Sequence, residues 1–162
     1  NLRAANLRAA DLGGADLRAA NLRDANLWGA KGLAPERVND LLLLLDQVGP
    51  IRAYKLVDSA YQSPIQSSGK ITYRMGETVE AKADTDPDTQ CGKGINLATL
   101  PWCLKNWQPG YRVLVVEFTA KDIAAIPVGD GKFRVSKCRV VREIPPDQVD
   151  EWLGRKEEQS NG

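Results

Sequence analysis

Three aspartates, Asp84, Asp86 and Asp88, alternate through the segment DTDPDT. Carboxylates so spaced are a ligand set for a hard cation such as calcium. The segment lacks the turn glycine and the distal glutamate of a helix-flanked calcium loop, so a solvated polar loop is the preferred reading and no metal site is assigned. Cys91, Cys103 and Cys138 are the only cysteines. They form no close Cys-x-x-Cys pair of the kind zinc needs. A nucleophilic cysteine needs a base as well as a lowered pKa, and Lys93 supplies only charge. Buried structural thiols are therefore expected. Glu117 and Asp122 are the acidic groups considered for an enzyme, but they make no pair at a useful spacing. The chain contains no histidine. Ser-His-Asp and Cys-His catalysis and any His-ligated metal are thereby excluded for this chain acting alone.

These residues need elements to hold them, and the first element visible is a repeat. The chain opens NLRAA NLRAA DLGGA DLRAA NLRDA NLWGA, six blocks of five over residues 1–30. Leu holds the second position of every block, from Leu2 to Leu27, and Ala the fifth, from Ala5 to Ala30. A period of five fits neither an α-helix nor a flat strand. Asn or Asp precedes every Leu and suits turns, because these side chains hydrogen-bond nearby backbone and tolerate left-handed conformations.

After Ala30, Pro35, Val38, Leu41, Leu42 and Leu45 have the spacing of a helix that Gly49 and Pro50 end. Its many leucines suggest that one stripe covers the repeats and another packs on the segments beyond Pro50. Strands are expected at 51–57, 70–74, 78–83 and 111–119, with 111–119 central because it is the most apolar. A helix is expected from Asn96 to Trp107, a helical turn at 120–125, a hairpin turn at 129–131, one long strand with a bulge at 132–144, and a short terminal helix before a solvated tail. Trp102 and Trp107 would flank the 96–107 helix, as core residues or as an exposed platform for a partner.

Composition narrows the function. The chain has 162 residues, 27% of them charged, with a formal net charge of +1. That balance points neither to nucleic acid nor to an anionic membrane. The longest apolar run, Leu41 to Leu45, is too short to cross a bilayer. An odd, sparse cysteine count fits reduced thiols and a cytoplasmic setting.

Residue for residue, the opening blocks resemble the A(D/N)LXX pentapeptide-repeat family. The resemblance implies a right-handed quadrilateral β-solenoid with Leu on the inner axis. Six blocks would build about one and a half coils, and repeat arrays need several units and capped ends. The expected organisation is thus a β-solenoid over 1–31, a capping or linker helix over 32–49, a small α+β domain over 50–146, and a terminal helix with tail over 147–162. The pattern begins without a cap, so a fragment of a longer solenoid protein is expected. Some members of that family mimic acidic DNA, but here the exposed position after Leu is mostly Arg. The stretches IRAYKLVDS, CGKGINLATLPWCL, VLVVEFTAKDIAAIP and GKFRVSKCRVV are similar to an uncharacterised domain that follows such repeats in bacterial and phage proteins, which brings no activity with it.

A second resemblance concerns the order of three of these segments, which looks like an ADP-ribosyltransferase fold of the His-Tyr-Glu class. AYKLV is similar to the strand with the NAD-binding His, CGKGINLA to a loop and helix start, and GKFRVSKCRVV to the strand opening with the catalytic Glu. The resemblance puts the triad positions at Lys55, Asn96 and Lys132, none of which keeps the family's residue. A Lys in place of the Glu cannot accept a hydrogen bond from ribose. What the resemblance leaves is a pocket: Gly92, Gly94 and the backbone near Asn96 offering N–H groups to a phosphate, with Lys55, Lys93, Lys132 and Arg134 adding charge. Two glycines in CGKG equally make a tight turn. The function expected is a non-catalytic binding or scaffold protein with no cofactor and an unidentified protein partner. The alternative is a nucleotide-binding module with a degenerate transferase-like pocket.

Overall fold

A computed structural model describes residues 1–13, 15, 25–28, 30–32, 40–64, 70–127 and 131–155. Its body is one seven-stranded sheet, antiparallel throughout. The strands are β1 (Ile51–Val57), β2 (Thr78–Glu80), β3 (Ile95–Ala98), β4 (Arg112–Phe118), β5 (Ile123–Ala125), β6 (Lys132–Val135) and β7 (Lys137–Glu143), in the order β2-β7-β4-β1-β3-β6-β5. Among the described residues two short α-helices accompany them, α1 (Leu100–Lys105) and α2 (Pro146–Trp152).

This corrects the expected fold class. The body is a single open antiparallel sheet, and a right-handed quadrilateral β-solenoid is not what organises the chain. Among the described residues the repeats contribute two isolated parallel bridges, Asn6↔Asn26 and Asp11↔Lys31. So few blocks stack too little backbone for a continuous ladder. Residues 16–24 and 29, with their share of the block pattern, lie outside the described residues. The turn chemistry of the blocks is visible: Arg3, Arg8, Gly13 and Trp28 each donate a backbone N–H to the Asn or Asp two residues earlier, at 2.9–3.2 Å. Among the described residues of the blocks, Ala4 and Ala9 are left-handed and Asn1, Asn6 and Asn26 are not. Leu27 and Ala30 are buried against Leu2, Leu7 and Leu12.

The sheet's two faces follow strand alternation. One face buries Ala53 and Val57 of β1, Leu114, Val116 and Phe118 of β4, and Phe133 and Val135 of β6, in one cluster. The other carries Leu56, Ala98, Val113 and Val115 under α1 and α2, which add Cys103 and Val149. Between β6 and β7 stands a single residue, Ser136. These strands nevertheless lie on opposite sides of the central β1 and β3. One residue spans only about 7 Å of chain, so the sheet must roll until the two strand ends meet. The first face is then the inside of the roll, and Phe118 and Phe133, on different halves, approach to 5.3 Å between ring centroids. The long strand expected over 132–144 is thus two strands, broken where Ser136 takes the chain across.

Other expectations are adjusted. The described part of the 32–49 helix is a 3-10 helix, Asp40–Asp46, whose Leu41, Leu42 and Leu44 pack on the inside cluster while Leu43 and Leu45 stay exposed. Residues 33–39 lie outside the described residues, as do 65–69, 128–130 and the tail 156–162. The 70–74 segment holds only the isolated bridge Gln62↔Thr72. The helix expected from Asn96 is a strand until Ala98. Thr99 then accepts the N–H of Trp102, and Pro101 sits in the first turn, so α1 begins only at Leu100.

Gly94 provides a test of this packing. Its φ is +122°, and a Cβ there would stand 2.7 Å from Ala83 Cβ. Gly110 also has positive φ, +88°, but open space around it. Gly94→Ala should cost about 2–3 kcal/mol and Gly110→Ala about 1 kcal/mol. Urea unfolding midpoints of the two variants check this, and equal losses would mean that the contact with Ala83 is immaterial.

Candidate functional site

β1 and β4 pair along seven positions, from Ile51↔Phe118 to Val57↔Arg112, whereas β1 and β3 share one register pair, Tyr54↔Ala98. The sheet splits at this seam. A cleft of about 280 Å³ opens there, walled by Tyr54, Lys55 and Leu56 of β1 and by Asn96, Leu97 and Ala98 of β3. Trp102 of α1, Lys132 at the start of β6, and Pro64 and Cys91 from loops complete it. Pro64 follows a segment tied down by Tyr61, whose hydroxyl donates to Glu143 at 2.8 Å.

Lys55 is buried, at 5% exposure, and its Nζ stands 5.2 Å from the centroid of the buried Tyr73 ring. Burial lowers its pKa from 10.5 to about 8. Lys132 is half-buried and donates to Cys91 Sγ at 3.3 Å, and its Nζ lies 5.4 Å from the Trp102 ring centroid. Asn96 is paired with Arg134 in the sheet, and its amide donates to Gly92 O at 3.2 Å.

The residues expected at a site therefore divide. Lys55, Asn96 and Lys132 come together in the cleft. Lys93, Gly94 and Arg134 do not line it. Lys93 is exposed, and its carbonyl accepts from Asp84 N at 2.8 Å. Gly94 serves the close approach to Ala83. Arg134 is fully buried and donates to three carbonyls of the aspartate loop: Asp84 O at 2.9 Å, and Thr89 O and Asp86 O at 2.6 Å each. It is a brace, not a free ligand cation. Gly92 is held close to the same guanidinium, since a Cβ there would meet Arg134 Nη1 at 2.9 Å. No helix starts near Asn96, so the expected phosphate cradle is not formed there.

The aspartates themselves make turns. Asp84 and Asp86 accept the backbone N–H groups of Asp86 and Asp88, and Thr89 Oγ1 donates to Asp86. Among the described residues no group of three or more carboxylates and thiols is placed to hold a metal ion. Cys103 and Cys138 are buried, and burial pushes both thiols up to about 12. Cys91 departs from the structural-thiol expectation, being exposed at the cleft. Tyr54, Pro64 and Trp102 are cleft residues that the sequence does not single out as ligand-binding. Alternation along β1 sends Tyr54 and Lys55 to opposite faces, so it does not single out Tyr54 either.

The repeats have counterparts among known proteins. Residues 1–31 match the family model for pentapeptide repeats. It finds eight copies there, against the six blocks apparent in the sequence. The pentapeptide match covers the repeats and leaves the sheet and its cleft without an assigned family. No curated protein and no solved structure matches the chain. Among the described residues no helix is long and apolar enough to cross a membrane.

Proposed function

We propose that the cleft at the β1–β3 seam binds a nucleotide-type ligand, an aromatic or sugar group joined to phosphate, without turning it over. The observation that carries this reading is the meeting of Lys55, Asn96 and Lys132, from three different strands, around one cavity. The lysines favour anionic oxygens, and Trp102 and Tyr54 offer flat apolar surface. No carboxylate is among the described residues lining the cleft. A general base of the usual kind for sugar chemistry is thus missing from that lining, which favours binding over transfer. The three free cysteines fit a reducing, cytoplasmic setting. In this reading the pentapeptide segment is a rigid appendage that docks a protein partner.

A thermal-shift comparison of NAD, ADP-ribose and adenosine tests the proposal. A ligand at a hundred times its dissociation constant adds about 2.7 kcal/mol. For a chain of this size that moves the melting point by roughly 5–10 °C. The phosphorylated ligands should shift it and adenosine should not, and Lys132→Ala should remove the shift. No shift with either phosphorylated ligand would sink the nucleotide reading and leave a scaffold that binds protein only.

A further inference from the structure

Lys55 is an unusual residue to find where it is. The inner cluster that packs around β1 is apolar, and its β1 neighbours Leu56 and Val57 are buried with it. Among the described residues no carboxylate pairs with its ammonium, and the contact that can be named is the face of Tyr73. A buried cation without a counter-charge burdens the fold. Yet the residue also lines the cleft. Lys132 enters the same cleft and is the natural seat for an anionic group. One wall thus carries an amine in an apolar setting, and another carries a half-buried cation. This is the combination that captures a carbonyl compound held by a phosphate or carboxylate.

We propose that Lys55 forms an imine with the aldehyde or ketone carbon of a phosphorylated ligand whose anionic group rests on Lys132. The inference rests on the cleft being a ligand site. The uncharged amine adds its lone pair to the carbonyl carbon, and the new C–N bond forms as the C=O π pair moves to oxygen. The oxygen takes up the two amine protons in turn and departs as water when the C–O bond breaks. No electrons are gained or lost. Burial supports the step, because an amine with a pKa near 8 has roughly three hundred times more free base at neutral pH than an ordinary lysine. Tyr73, raised to about 12 chiefly by burial, stays protonated beside it and adds no negative charge that would hold the proton on.

The full chain is incubated with substoichiometric pyridoxal 5′-phosphate and, separately, with pyridoxal, each with cyanoborohydride, which reduces only an imine that has formed. Peptide mapping then locates the secondary amine. Lys55 should be labelled at least about tenfold faster than any other lysine. Lys132→Ala should slow labelling by the phosphorylated aldehyde about tenfold more than it slows labelling by pyridoxal. Labelling of Lys55 no faster than that of the surface lysines overturns the proposal. So does an equal loss with both aldehydes in Lys132→Ala, since the phosphate would then not be held there. A nucleotide thermal shift without Lys55 labelling would overturn the imine alone. Labelling without any nucleotide shift would overturn the nucleotide class and leave the imine standing.

Discussion

Arg134→Leu lowers the unfolding free energy by about 3–5 kcal/mol, a large part of what a domain of this size has. The guanidinium is fully buried and satisfies the carbonyls of Asp84, Asp86 and Thr89 at once. A hydrogen bond from a charged donor contributes about 1.5–3 kcal/mol, and each acceptor left buried costs again. Because the braced segment leads into Cys91, the variant should also separate that thiol from Lys132. Lys at this position has one short-ranged ammonium and cannot fork to three carbonyls, so Arg134→Lys should recover less than half of the loss. Guanidinium unfolding of the three proteins measures this. A loss below about 1 kcal/mol for Arg134→Leu would show that the brace is replaced by water at little cost.

The second large effect has the opposite sign. Lys55→Met should stabilise the protein at pH 7 by roughly 3 kcal/mol while abolishing ligand capture, because a near-isosteric apolar group removes a buried charge. The folded pKa of Lys55, about 8, lies below its ordinary 10.5. Between these values the unfolded chain holds more protons than the folded one, so the contribution of Lys55 to stability rises with pH through that window. Below pH 8 the cost of burying the charge is fully present, and above pH 10.5 it is gone. The advantage of Lys55→Met should accordingly shrink from pH 8 upwards and vanish near pH 10.5. The thiols act the other way. Cys103 and Cys138 are pushed from 9.0 to about 12, so both proteins should lose stability above pH 9 as the unfolded thiols ionise. Unfolding curves of the two proteins from about pH 7 to 10.5 separate these trends. A difference that stays constant with pH would show that Lys55 does not titrate in this range.

How much of this is legible in the sequence depends on how local its cause is. The strands at 51–57 and 111–119 are visible as apolar runs, and the blocks of five announce their Asn and Asp turns. The pentapeptide pattern is also the misleading part, because a strong local period says nothing of which segment forms the folded body. β3 reads as the start of a helix since INLA has no pattern of its own, and only Pro101 marks where the helix begins. The break at Ser136 is hidden because KFRVSKCRVV alternates as one strand would. It is a topological event, set by where β3 and β4 already stand. Among site residues, Lys55, Asn96 and Lys132 are reached through resemblance. Arg134 is misplaced for a physical reason: alternation says that it faces away from Phe133 and Val135, but not whether a loop lies over that face. Trp102 and Cys91 reach the cleft from separate segments that only the folded sheet brings together.

The Ser136 crossing has one more consequence. A sheet split along most of its β1–β3 seam would be expected to gape, with each half free to drift. Here one peptide segment runs straight from the half that holds Lys132 to the half that holds Lys55. The two walls are thereby leashed at a fixed span before any ligand arrives. Such a receptor is preorganised: little loop or wall ordering is charged against affinity on binding. Ligands of different size would then be sorted by fit to a set aperture, not by how well the walls can close around them.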